Sequence, residues 1–270
     1  MRLSEILNRN KQPAEKSRAR SRLGLHSTSF SGDLSRLARS LRNGGSVKHS
    51  WSSKRVFLSK SRYMSGRQCS KKLWQTVYDP EPAEEPLPGT VKGMGIEVGV
   101  KARLLWPGGV LIDSKYDDYA EAIRRTEALI ADPTVPAIFE AALVHDGLLI
   151  RVDALERLPD GRWRLNEVKS STRIKDEHLQ DIALQTYVIV GAGLKLADAH
   201  LVFINDKYIR QEEIDWNGLF WHEDVTENLI PFLPEVPELI ADFPIELKQA
   251  AQLRREADER GWPRLAWCRP

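Results

Sequence analysis

Cysteine is scarce in this chain: Cys69 and Cys268 are the two cysteines among 270 residues, and they stand far apart. They suggest no disulfide framework, so a reducing, cytoplasmic setting is the expectation. Long apolar runs are missing too. No stretch reaches the roughly 18 residues a membrane span needs, and the N-terminus lacks the apolar core of a secretion signal. The six histidines show no zinc spacing. The "PGG" and "VGAG" stretches are glycine punctuation without the spacing of a phosphate-binding loop. Acidic residues are scarce at one end only. Residues 1–62 hold 15 Lys/Arg and 3 Asp/Glu, whereas the remainder holds 25 and 35.

What is present is enough apolar residue, 41%, to bury a real core. A basic arm on an acidic body is a pattern of proteins that meet nucleic acid. The plainer reading of residues 1–55 is a solvated, disordered leader, rich in Ser, Arg and Lys. Order is expected from about Val56. "LSKSRYMSGRQCSKKLWQTVYD" reads as one helix capped by Ser59 or Ser61. "DPEPAEEPLPG" (79–89) is a proline loop. Further helices are predicted over 94–106 and 117–131.

The period then changes. "GLLIRVDALERL" (147–158) and "RWRLNEVKSS" (162–171) read as two strands joined by the turn "PDGR". A helix over 175–193 follows, then a strand over 199–205, with 207–214 continuing or pairing with it. The segment 222–247 looks helical but is broken by prolines. Mixed strands and helices in this order imply a mixed sheet with helices on its faces. The expected organisation is an arm over 1–55, a domain over 56–226 and a helical tail over 227–270.

The second strand of the hairpin carries the chemistry. Side chains alternate along a strand, so Trp163, Leu165, Glu167 and Lys169 share one face. Two bulky apolar residues turn that face inward, where a charge is costly unless it is paired or binds a metal. Asp153 lies 14 residues before Glu167, and folding at 159–161 brings the two acids together. Adjacent carboxylates repel, which favours a divalent cation between them. Carboxylates with the Val168 carbonyl suit Mg²⁺ or Mn²⁺. Lys169 would then face an attacking water or a phosphate. The bland alternative is a solvated i, i+2 pair on an amphipathic strand.

The D-x13-E-x-K spacing resembles that of PD-(D/E)XK nucleases. The blocks "LSKSRYMSGRQCSKKLW", "GIEVGVKARLLWPGG", "LNEVKSSTRIKDEHLQDIALQTYVI" and "HLVFINDKYIR" are similar, in order, to a bacterial branch related to RecB-like and CRISPR-associated exonucleases. The similar region runs from about Leu58 to Thr226. The resemblance implies a restriction-endonuclease-like α/β fold and Mg- or Mn-dependent hydrolysis of single- or double-stranded DNA. It implies Asp153 and Glu167 as metal-binding acids, Lys169 as the catalytic lysine, Glu97 as the acid of the first motif and Gln185 as an orienting glutamine. Asp181, one helical turn before Gln185, shares its face.

Departures accompany the resemblance. Many relatives carry an iron–sulfur cluster on four cysteines. Cys69 matches the early one, but only Cys268 follows, so four thiolates are not available. A C-terminus cut short and a lost cluster are the alternatives. Ile189 stands where relatives have a tyrosine. The rival functional readings are an inactive nuclease-fold module that only binds nucleic acid, and a fragment of a larger nuclease.

Overall fold

The computed structural model describes residues 58–80, 86–114 and 118–259. The basic arm 1–55 and Cys268 lie outside these residues. In chain order the elements are β1 (Leu58–Ser59), α1 (Lys60–Gln68), α2 (Ser70–Tyr78), α3 (Val91–Ala102), β2 (Val110–Leu111), α4 (Tyr119–Ala131), β3 (Ala137–His145), β4 (Leu148–Arg157), β5 (Trp163–Lys169), α5 (Asp176–Gly191), β6 (Leu196–Ile204), α6 (Trp216–Leu219), β7 (Phe220–Asp224) and α7 (Glu235–Glu259).

Seven strands form one mixed sheet among the described residues, in the order β2-β3-β4-β5-β6-β7, with β1 pairing to β4 off that path. The turn between β4 and β5 uses Gly161 at φ 79°, a region that only glycine enters freely. The sheet has a core on each face. Ile138, Ile150, Leu155 and Leu165 pack with Ile182 and Ile189 of α5. Phe139, Ala154, Val202 and Ile204 pack on the opposite face with Val98 and Ala102 of α3. No helix among the described residues is long and apolar enough to cross a membrane.

The pairing of β4 positions the site. Its β3 edge is paired along nearly the whole strand, from Ala137↔Glu156 to His145↔Leu148. Its other edge is divided. Residues 154–157 pair with β5, ending at Ala154↔Asn166. Residues 148–149 pair instead with β1. Strand β5 therefore leaves β4 just before Asp153 and Glu167, and β1 enters further along. The fork between them is open to side chains, and α1 starts there, immediately after β1.

Several local expectations need correction. The segment 58–79 is two helices, not one. Cys69, at φ −171° and ψ 151°, breaks it, and its Sγ accepts from the Lys72 N–H at the start of α2. Strand β3 was not foreseen, so the hairpin is the second half of a three-stranded meander. Residues 207–214 form no strand; the edge of the sheet is β7. Helix α7 runs on through Pro244. Pro237 falls in its first turn, where a missing N–H removes no intrahelical bond.

Residues beyond 227 share the main core rather than trailing from it. Leu229, Leu233, Val236 and Phe243 are buried within it. Phe243 meets Tyr63 edge-to-face, with centroids 5.5 Å apart. A Cβ at Gly66 would lie 2.6 Å from the Phe243 ring, so this close approach requires glycine. Replacing Phe243 by alanine is expected to destabilise the fold by about 3–5 kcal/mol, the usual range for a buried phenylalanine. Urea denaturation measures this, and a loss below about 1 kcal/mol would make α7 an appendage.

Candidate active site

Alternation along β5 puts Glu167 and Lys169 on the same side as Trp163 and Leu165, under α5. Glu167 is 1% exposed and Gln185 fully buried. A carboxylate so placed must be compensated, and it is. Lys169 Nζ lies 2.6 Å from Glu167 Oε1 and 2.7 Å from Asp181 Oδ2. Gln185 Nε2 donates to Glu167 Oε2 at 2.7 Å and to Asp181 Oδ1 at 3.0 Å. Lys60, the first residue of α1, contributes a second ammonium, 3.0 Å from Glu167 Oε1 and 3.3 Å from Asp181 Oδ1. Helix α5 can deliver Asp181 and Gln185 because they sit one turn apart on one face.

Asp153 occupies the fork from the other side. Its Oδ2 accepts from the Val168 N–H at 2.8 Å. That N–H lies just beyond the end of the β4–β5 ladder, and the side chain supplies the acceptor that β4 no longer offers. The strand opposite is irregular at the same level. Phe139 and Ala154 pair and face the smaller core, whereas the next pair, Ala141 and Val152, faces the larger one. Alternation therefore breaks at Glu140 and Asp153. Glu140 adopts φ 57°, which a non-glycine residue takes only under constraint. Such strain tends to gather at functional sites. Its carboxylate lies 3.5 Å from Arg103.

The two acids titrate in opposite directions. Burial alone would raise Glu167, but the ammoniums of Lys169 and Lys60 and the Gln185 amide hold it well below the usual carboxylate range. For Asp153, burial and then the negative charge of Glu167 push the carboxyl up to about 7, against the pull of Lys60 and Lys169. Lys169 itself is driven above its ordinary value: burial would lower it, yet Glu167 and Asp181 outweigh that. It stays an ammonium across the physiological range.

Asp153 also makes the stability of the fold depend on pH. Its folded value is above the unfolded one, so the folded state binds the proton more tightly. Its contribution to stability is present at low pH and is lost as pH rises from the ordinary 3.8 to about 7. Asp153→Asn, which mimics the neutral acid, is expected to melt higher than the parent at pH 8, with the gap closing towards pH 5. Melting curves at both pH values check this; a gap independent of pH would refute the raised value.

The structure brings together Glu167, Lys169 and Gln185, with Asp153 and Val168 directly beside them. It does not bring Glu97 into this cluster. Glu97 is exposed on α3, whose Val98 and Ala102 pack on the opposite sheet face. Lys60 and Glu140 were not singled out from the sequence. Lys60 carried one signal, a lysine between two serines immediately after an apolar pair; Glu140 lay in the unforeseen strand.

Comparison with solved structures finds a likeness. The chain is similar to the crystal structure of LHK-Exo in complex with dAMP, with a TM-score of 0.40 and 15% identity, covering 75% of this chain and 94% of that chain. No family model matches the sequence, and no curated protein matches it.

Proposed function

We propose that this protein is a nuclease of the PD-(D/E)XK type that hydrolyses phosphodiester bonds of DNA with a divalent metal, Mg²⁺ or Mn²⁺. The observation that carries the reading is the fork. There Asp153 and Glu167 lie beside a lysine that is held protonated. Asp153 accepts the Val168 N–H through Oδ2, and burial with the neighbouring charge of Glu167 raises this acid despite the pull of Lys60 and Lys169. Carboxylate and carbonyl oxygens are hard donors of the kind Mg²⁺ prefers. These residues fit a divalent cation held by Asp153, Glu167 and the Val168 carbonyl, once Lys60 withdraws from Glu167. When bound, such a cation would acidify a water and draw charge from a phosphoryl oxygen.

The chain's own residues have distinct tasks in this reading. Glu167 orients Lys169, and Asp181 grips the same ammonium from α5, so the positive charge is fixed before substrate arrives. A preorganised charge stabilises a developing phosphorane without reorganising at the moment of reaction. Gln185 bridges Glu167 and Asp181 and fixes both carboxylates. Glu167 and Asp181 hold Lys169 as an ammonium, so its task in this reading is electrostatic. Glu97 has no part in this arrangement.

The test is cleavage of single- and double-stranded DNA by the full chain with Mg²⁺ or Mn²⁺, against an EDTA control and the Asp153→Asn variant. Metal-dependent cleavage lost in the variant is the expected result; cleavage equal in both would overturn the assignment. A second reading, a nuclease-fold module that binds DNA without cutting it, has one observation in its favour. Both oxygens of Glu167 already accept from Lys60, Lys169 or Gln185, and among the described residues no group of three His, Cys, Asp or Glu is close enough to hold a metal. Salt-dependent DNA binding without cleavage at any metal concentration would select it.

A further inference from the structure

A cleft of about 270 Å³ is lined by Asp153 and by no residue of α5. Its walls come from several separate elements or their ends. Ser59, Lys60 and Ser61 stand where β1 turns into α1, Arg151 is on β4, Ser114 follows β2, and Tyr119 begins α4. Asp153 and Glu140 also line it, as do Leu149 and Ile150 of β4. Two cations and three serine hydroxyls suit phosphate oxygens. Arg151 Nη2 donates to Ser114 Oγ at 2.9 Å, which ties two of these donors together. The first turn of α1 contains no acidic residue, so the positive end of that helix is not neutralised by its own sequence. Of the two acids, Glu140 has its own partner in Arg103.

We propose that this cleft seats one nucleotide of the substrate strand, with its phosphate against Lys60 and Arg151 and its base against the ring of Tyr119. The inference rests on the nuclease reading and adds a subsite to it. The aromatic wall separates a nucleotide from a bare anion, since an anion site has no use for a ring, whereas a base stacks on one. The volume lies just below the roughly 300 Å³ at which pockets begin to hold drug-sized ligands, which suits a single nucleotide. A base seated there must be unpaired. Lys60 then links two tasks, because the ammonium that sits on Glu167 also faces the cleft, and a phosphate arriving there gives it an alternative partner. Tyr119 and Arg151 are substrate-binding residues in this scheme.

The experiment measures binding apart from cleavage. The full chain in EDTA is titrated into fluorescein-labelled oligothymidylate and, separately, into a blunt duplex of equal length. Tyr119→Ala and Arg151→Gln are each expected to weaken oligothymidylate binding about tenfold, and to change duplex binding much less. Arg151→Gln should also flatten the salt dependence, because a phosphate contact is lost. Tyr119→Phe, which keeps the ring, should bind as the parent does, and this separates loss of stacking from loss of fold. Where the protein cleaves, the same variants should raise KM more than they lower kcat. Parent-like oligothymidylate affinity in both Tyr119→Ala and Arg151→Gln would overturn the cleft. That result would leave the nuclease reading standing if metal-dependent cleavage persists. Conversely, weakened binding in a chain that never cleaves would keep the cleft and remove the nuclease.

Discussion

Replacing Lys169 with alanine is expected to lower metal-supported DNA cleavage by 10²- to 10³-fold, about 3–4 kcal/mol of transition-state stabilisation, as for other preorganised donors. The loss should fall on kcat, with KM little changed, because the ammonium matters most when charge develops on the phosphoryl group. Three features of the site lead to this expectation. Lys169 is gripped by Glu167 and Asp181 from two different elements, so its position is fixed. Burial surrounds it with a medium that screens charge poorly, which enlarges its electrostatic effect. Its raised value keeps it charged, so the pH–rate profile should show no limb from its deprotonation below about pH 9. Lys169→Arg should not restore full activity, because a planar guanidinium cannot meet the same two carboxylates in the same geometry. Steady-state kinetics on a labelled oligonucleotide check all three points. Activity within threefold of the parent would remove Lys169 from the chemistry.

Much of this arrangement was legible in the sequence because strands alternate. Trp163 and Leu165 revealed an inward face, and the two charges that continue it had to be buried and compensated. The spacing of Asp181 and Gln185 on one helix was likewise visible. The partners across the fork were not. Lys60 precedes Glu167 by more than a hundred residues, and only the entry of β1 beside β4 brings them together. Sequence periodicity reports faces within an element and says nothing of which elements become neighbours. Strand β3 was missed for a related reason. "AIFEAALVH" is buried on both faces, so its apolar residues do not alternate cleanly, and alanine is no strand marker. Its irregularity at Glu140, set against Asp153, arises from packing on both sides and has no local signature. The break at Cys69 was hidden because its flanks both read as helix; nothing short of the two packing directions of α1 and α2 separates them. Helix α7 looked fragmented because its prolines were counted without regard to position, although one of them falls in the first turn.

Removing the Glu167 carboxylate should show how far the fold depends on the site. Glu167→Ala leaves Lys60 and Lys169 to share Asp181 alone, and leaves the Gln185 amide with one acceptor. Two ammoniums then stand in a buried or half-buried place with too little negative charge. Breaking such an arrangement by removing one partner is destabilising by about 3–5 kcal/mol. At this chain length that amounts to a fall in melting temperature of roughly 10 °C. Glu167→Gln, which keeps an acceptor and the volume, should lose less. Restoring balance should recover part of the loss, so a double variant, Glu167→Ala with Lys60→Met, is expected to be more stable than Glu167→Ala alone. Such a cycle isolates the coupling from the cavity that alanine leaves. The acid limb supplies an independent check. The Glu167 value is depressed on folding, so the stability it contributes is present above its unfolded value of 4.5 and is lost as pH falls below it. The difference between parent and Glu167→Ala should therefore be full at pH 7 and shrink towards pH 3. If the two melt together at pH 7, the carboxylate is not the anchor of the lysines, and the charge network that fixes Lys169 would have to be sought elsewhere.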